Sequence, residues 1–270
     1  MLINATMEHL RELSLSGMAR ALAEQMENAE YNSLTFEERL GMLCDREIQD
    51  RYNRRLERNL RMAKLRTVAC IEDIDFRRAR GLERSVVMSL ASAQWVAAHQ
   101  NVLIVGPTGA GKTFLGCALA NAAVRAGNTA LYIRAPRLFN DLVIARGDGR
   151  WVRLMAAWSR VDVLIIDDLV LQPVTPAQAS DLLEVIEDRS QRRSTIVTSQ
   201  LPIAEWHAAL GDPTLADAIL DRLTSNAHRI AMHGDSMRRR EPKHTSGERD
   251  APDQPDTAAK PAAVRRSAAR

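Results

Sequence analysis

The sequence predicts an α/β fold, a parallel five-stranded sheet with helices on both faces, preceded by a small helical domain. Three observations predict it. Five apolar or β-rich runs, at 102–105, 129–134, 161–166, 194–198 and 227–233, alternate with helical patterns. The first, Val102-Leu103-Ile104-Val105, breaks into Gly106-Pro107-Thr108-Gly109-Ala110-Gly111-Lys112-Thr113, the pattern G-x-x-x-x-G-K-[ST] in its strand-turn-helix setting. Residues 1–66, by contrast, read as helices. The expected boundaries are a helical region at 1–66, a connector at 67–81, the sheet domain at 82–241 and a disordered tail at 242–270.

Residues 1–30 carry Met7, Leu10, Leu13 and Leu15, then Met18, Leu22 and Met26, with a break expected at Ser16-Gly17. A longer helix starts after Thr35, a suitable N-cap, with Glu37 and Glu38 placed to meet the positive end of the helix dipole. Phe36, Leu40, Cys44, Ile48, Tyr52, Leu56 and Leu60 recur every four residues and predict one slowly winding apolar stripe. After Arg51 this helix is strongly basic, which fits a solvated face or contact with nucleic-acid phosphates. Residues 67–80 predict an extended connector anchored by Phe76, and a helix from Leu82 to His99 leads into the first strand.

The glycine-rich turn feeds an Ala-rich helix over 114–125, and Gly127-Asn128 turns the chain into the second strand. Pro136 suits the first turn of the next helix, Gly147-Asp148-Gly149 ends it, and 151–158 forms another. The third strand, 161–166, ends in Asp167-Asp168. Helices at 176–189, 202–210 and 216–225 separate the remaining strands. Beyond Glu241 the chain is polar and proline-bearing, with too little apolar content to offset the entropy of ordering.

With 270 residues, 46% of them hydrophobic, the chain can bury one substantial core and carry a smaller appendage. No apolar run approaches the length of a membrane span, and the start MLINATMEHLREL lacks the layout of a signal peptide. Cys44, Cys70 and Cys117 form no C-x-x-C pair, and the histidines show no ligand spacing. A cytoplasmic protein without a membrane partner, zinc site or disulfide framework is expected.

The glycines of the turn let backbone N–H groups face inward and cradle phosphate oxygens at a helix N-terminus. Lys112 can reach the outer phosphates, and the Thr113 hydroxyl suits Mg²⁺. Gly106 to Thr113 therefore predict a nucleoside triphosphate site, with ATP and Mg²⁺ as cofactors. Asp167 ends a buried strand beside that turn, where an acid holds Mg²⁺ through water, and Asp168 suits a general base polarising the attacking water. Thr198-Ser199-Gln200 closes the next strand beside the acids. Those polar groups would sense the γ-phosphate or orient water, or equally cap the helix that follows.

The ordered set GPTGAGKT, LIIDDL, IVTSQLP, LADAILDRL and GDSMRR resembles the IstB family of transposition helper ATPases, AAA+ members related to the DnaC helicase loaders and the DnaA initiators. The opening helices share the resemblance, which runs from residue 1 to about Arg240. It implies a lidless AAA+ module in which ATP sits between subunits and a neighbour supplies an arginine. By match to the family pattern Arg222 is that arginine, with Arg238 second, and Gln200 is the sensor residue beside Ser199. The resemblance also implies homo-oligomers formed with ATP on duplex DNA, which is deformed and handed to the cognate transposase. Arg54, Arg55 and Arg58 are the first candidates for DNA contact, and Arg146, Arg150 and Arg153 the second. Two departures stand out: the second acid is Asp168 where AAA+ proteins usually have glutamate, and Val170 stands where relatives often have glycine.

Three other readings remain open. A DnaC-like helicase loader would act on single-stranded DNA. A small-molecule kinase would carry its own lid arginines. In a binding module ATP would only order a surface, which the intact Lys112, Thr113, Asp167 and Asp168 disfavour.

Overall fold

In the computed structural model, which describes residues 2–234 and 236–237, five parallel strands form one sheet. They are β1 (Asn101–Val105), β2 (Ala130–Arg134), β3 (Val163–Leu169), β4 (Ser194–Ser199) and β5 (Ala227–Ala231). Their order is β2-β3-β4-β1-β5, so β4 lies between β1 and β3 and the carboxyl ends of the three stand side by side. In open α/β sheets that edge is where ligands bind. Val102, Leu103 and Ile104 of β1 and Val163 to Ile166 of β3 are buried because helices cover both faces, which is why these runs are apolar throughout. The described residues form one compact unit. The expected tail at 242–270 and the second arginine candidate, Arg238, lie outside the described residues.

The helix after the glycine-rich turn, Lys112–Arg125, is buried on nearly every side from Leu115 to Val124. The sheet packs on one face, and on the other lies the long helix Phe36–Ala63, whose Leu56 and Leu60 join the same core. These two helices are α6 and α3 in chain order, after α1 (Leu2–Glu12) and α2 (Ser16–Glu27), with α4 (Arg84–Ala91) and α5 (Gln94–Ala97) between them. Tyr52, Arg55 and Asn59 of α3 donate hydrogen bonds to the carbonyls of Arg125, Gly127 and Asn128, closing the unsatisfied C-terminal end of α6.

Thr35 caps α3 in a reciprocal capping box with Glu38. The expected single stripe is only half buried. Phe36 is 73% and Ile48 67% exposed, whereas Leu56 and Leu60 pack against the core. A four-residue repeat drifts by about 40° per step around a 3.6-residue helix, so its two ends face different directions. Leu43 and Glu47 instead face α2. The break between α1 and α2 falls at 13–15, ahead of Gly17, which lies inside α2. A Cβ at Gly17 would stand 2.8 Å from the Glu47 Cα, so glycine permits the close approach of the two helices.

The helix expected over 82–99 is two pieces, broken at Ala93 with φ 58°. No Gly or Pro marks that break; Trp95 packs into the core and its indole N–H returns to the Leu90 carbonyl. The connector is irregular apart from a 3₁₀ turn at Ile71–Asp73. The remaining helices are α7 (Ala135–Gly147), α8 (Trp151–Arg160), α9 (Pro176–Arg189), α10 (Ile203–Leu210) and α11 (Pro213–Thr224). Proline in the first turn with a capping Thr175 or Asp212 starts α9 and α11. None of the described helices is long and apolar enough to cross a membrane.

Candidate nucleotide site

β1 runs straight into the glycine-rich loop. Gly106, Gly109 and Gly111 all hold positive φ, at 149°, 88° and 102°. A Cβ on Gly106 would collide with the Met232 carbonyl, which arrives because the Met232 N–H donates to the Val105 carbonyl just after β5. Gly111 forms the left-handed N-cap of α6, a conformation that costs glycine little. The Lys112 ammonium donates to the carbonyls of Gly106 (2.7 Å) and Pro107 (2.9 Å). Pro107, Thr108 and Gly109 lie on the outer side of the loop, and Ala110 is buried beneath it.

Beside this loop is a cavity of about 340 Å³ lined by Arg66, Thr108, Lys112, Thr113, Asp168 and Gln200, among others. Asp167 is fully buried behind the lining residue Thr113. Its carboxylate accepts from the hydroxyls of Thr113 (2.8 Å), Thr198 (2.6 Å) and Tyr132 (2.6 Å). Burial and the neighbouring Asp167 raise the Tyr132 phenol above its ordinary pKa, so it remains a donor.

β3 runs past the expected end at 166 and carries a bulge, and Asp168 lines the cavity. Ile166 pairs with Val197 and Leu169 with Ser199, leaving Asp167 and Asp168 opposite Thr198 alone. Asp168 takes φ 60° and its N–H donates to the Thr198 hydroxyl at 3.0 Å. Its carboxylate meets the Arg134 guanidinium at 2.9 Å. Val170 holds φ 51°, a left-handed conformation that strains a β-branched residue.

The structure brings Gly106 to Thr113, Asp167, Asp168 and Gln200 together. The Thr108 hydroxyl lies 2.7 Å from the Gln200 side-chain oxygen, tying the loop to the end of β4. Ser199 takes the second of its two expected roles here. Its buried hydroxyl donates to the Leu169 carbonyl and accepts from the Leu201 N–H, which locks β4 to β3 and occupies its one donor. Thr198, one residue earlier, holds the acids instead. Sequence reasoning missed Arg66, Tyr132 and Arg134 in this site, and Arg80, which is buried beneath the loop and donates to the Ala110 carbonyl at 3.3 Å.

Arg222 is placed away from its own loop. Asn101, the first residue of β1, donates to the Arg222 and Leu223 carbonyls, so this end of α11 lies at the opposite edge of the sheet. The Arg222 guanidinium contacts Glu187, rather than an aspartate of its own helix. Arg54, Arg55 and Arg58 line one concavity of about 440 Å³ with Ser14 and Arg51. Arg54 reaches Glu47 at 3.4 Å, whereas Arg58 has no polar partner among the described residues. Of the second group, Arg146 is held by Asp181 at 2.6 Å and stacks on Trp151, with its side chain still half exposed. Arg150 pairs with Asp148, and Arg153 is exposed.

No cluster of three or more His, Cys, Asp or Glu among the described residues could hold a metal by itself. Mg²⁺ keeps waters and phosphate oxygens and needs few protein ligands. The facing Thr113 hydroxyl and Asp167 carboxylate fit such an ion.

The family model for the IstB-like ATP binding protein matches residues 8–245. The insertion-sequence ATP-binding protein y4pL of Sinorhizobium fredii is 49% identical over 239 residues, spanning 88% of this chain and 98% of that one. The corresponding protein of insertion sequence IS1162 from Pseudomonas fluorescens is 49% identical over 214 residues, covering 79% and 93%. Among solved structures, DnaI superposes with a TM-score of 0.54 at 22% identity over 65% of this chain and 93% of that one. The DnaC helicase loader gives 0.54 at 18%, over 61% and 96%. These two show the AAA+ fold. The chain belongs to the IstB-like ATP-binding protein family.

Proposed function

We propose that this protein is an ATPase that serves transposition of an insertion sequence, assembling with ATP on duplex DNA and presenting that DNA to the cognate transposase. The observation that carries the reading is the Thr113–Asp167 contact at the foot of the glycine-rich loop, with Asp168 turned to the same cavity, in a chain of this family. The loop N–H groups and the Lys112 ammonium bind the phosphates. Magnesium, when bound, supplies charge neutralisation across the outer phosphates. Thr113 and Asp167 hold the ion's place, and Tyr132 and Thr198 keep the Asp167 carboxylate aimed at it. Asp168, oriented by Arg134 and the Thr198 hydroxyl, takes the proton of the attacking water. Gln200 orients that water or senses the outer phosphate, and Arg222 serves a neighbour's site. Arg54, Arg55, Arg58 and Arg153 contact DNA phosphates.

The test is the mass of the protein in solution with a non-hydrolysable ATP analogue and either duplex or single-stranded DNA. Nucleotide-dependent assembly on duplex supports the proposal, and Lys112→Ala should abolish turnover. Assembly on single strands alone would indicate a helicase loader. A monomer indifferent to DNA would overturn both.

A further inference from the structure

Arg66 sits two residues beyond Lys64, the left-handed C-cap of α3. Its guanidinium lies 3.5 Å from one Asp167 carboxylate oxygen and 4.0 Å from one of Asp168. It lines the same cavity as Lys112 and Thr113. Other groups at the acids are the hydroxyls of Thr113, Tyr132 and Thr198 and the Arg134 guanidinium, and Arg66 also meets the Tyr132 hydroxyl. Among the described residues Arg134 pairs with Asp168. Arg66 is thus a cation that spans both carboxylates, and it reaches the fully buried Asp167 from a chain segment outside the sheet.

Two facing carboxylates, one of them buried, need positive charge nearby. A divalent ion held by Thr113 and Asp167 would supply the same compensation from a few ångströms away. The guanidinium and the metal then repel each other and draw on the same carboxylate charge.

We propose that Arg66 is the resident counter-ion of Asp167 and Asp168 and competes with magnesium for them, so that metal–nucleotide loading is linked to release of the C-terminal end of α3. This inference rests on the nucleotide-site reading above. It makes Arg66 a positioning residue. Because linkage is reciprocal, whatever draws α3 away from the site also eases metal binding.

The experiment is a magnesium titration of the full chain at fixed concentration of a fluorescent, non-hydrolysable ATP analogue, read by anisotropy. Arg66→Ala should half-saturate at roughly fivefold lower magnesium or less. Arg66→Lys, which keeps the charge, should stay near the wild type. Arg66→Gln repeats the test if the alanine variant does not fold. An unchanged or raised magnesium requirement in the neutral variants overturns the inference while leaving the nucleotide site intact. If the wild type fails to bind the analogue at any magnesium concentration, the site reading falls, and the inference with it. Amide exchange over residues 60–66 gives a second readout. Magnesium and analogue together should speed it in the wild type and leave it unchanged in Arg66→Ala, and no change in the wild type overturns the linkage to α3.

Discussion

Thr198 and Ser199 are adjacent hydroxyls at the end of one buried strand, yet the bulge in β3 gives them different work. Thr198 donates to Asp167 and accepts from the Asp168 N–H, so it sets the position of both acids. Ser199 spends its hydroxyl between the Leu169 carbonyl and the Leu201 N–H. Thr198→Val keeps the shape and removes the bond, and turnover should fall at least about tenfold through misplacement of the acids. Ser199→Ala should cost about 1 kcal/mol of stability and leave turnover within about twofold. Steady-state ATPase rates alongside urea unfolding separate the two; a Ser199→Ala variant as inactive as Thr198→Val would return Ser199 to the site. The sequence could place a polar trio at that strand end but could not say which member faced inward. That assignment depends on a one-residue register slip between β3 and β4, which no local pattern encodes.

At the scale of elements, alongside the Gln25–Arg39 and Arg20–Asp50 contacts, α2 is fastened to α3 by Glu47. This buried carboxylate accepts from the N–H groups of Gly17 at 2.7 Å and Met18 at 3.2 Å, capping the start of α2 from another helix, and pairs with Arg51 at 2.7 Å. Burial alone would raise its pKa, but the bonds from Arg51, Gly17 and Met18 together hold it below its ordinary value. A carboxylate depressed in the folded state contributes stability above its unfolded pKa and loses it as pH falls through the folded pKa. Acid should therefore loosen residues 1–33 as pH drops below the ordinary carboxylate range, and Glu47→Ala should do so at neutral pH, at a cost of about 1–3 kcal/mol. Amide exchange across α2, measured at neutral and acid pH, checks both. Uniform protection across that range would show that the other contacts alone hold the pair. Thr35 was legible as an N-cap because that signal is local. Glu47 was not, because it reads as one acid of a charged helix until α2 is laid against it.

For the whole molecule, the nucleotide site and the residue expected to complete it stand at opposite edges of the sheet. The loop follows the last residue of β1, and Arg222 is tied to the first, Asn101. Five strand residues at about 3.3 Å each put roughly 15 Å of β1 between them, beyond the reach of one side chain. The five strands, the glycine-rich loop and the paired acids were all readable from apolar runs and motif spacing, because each rests on neighbours in sequence, whereas the strand order was not. Arg66 and Tyr132 were not, since only the fold brings the end of α3 and the edge strand β2 to the acids. If Arg222 acts on ATP, it must do so across a head-to-tail interface between copies. Arg222→Ala and Lys112→Ala should then each abolish turnover alone. Mixed in equal amounts, they should recover activity, because about a quarter of the interfaces would pair an intact loop with an intact arginine. The Glu187 contact must open for that role, so Glu187→Gln should not impair turnover. ATPase assays on the mixtures decide the matter. Activity no higher than that of the separate variants would confine Arg222 to its ion pair with Glu187 and move the search for the completing cation elsewhere on the surface.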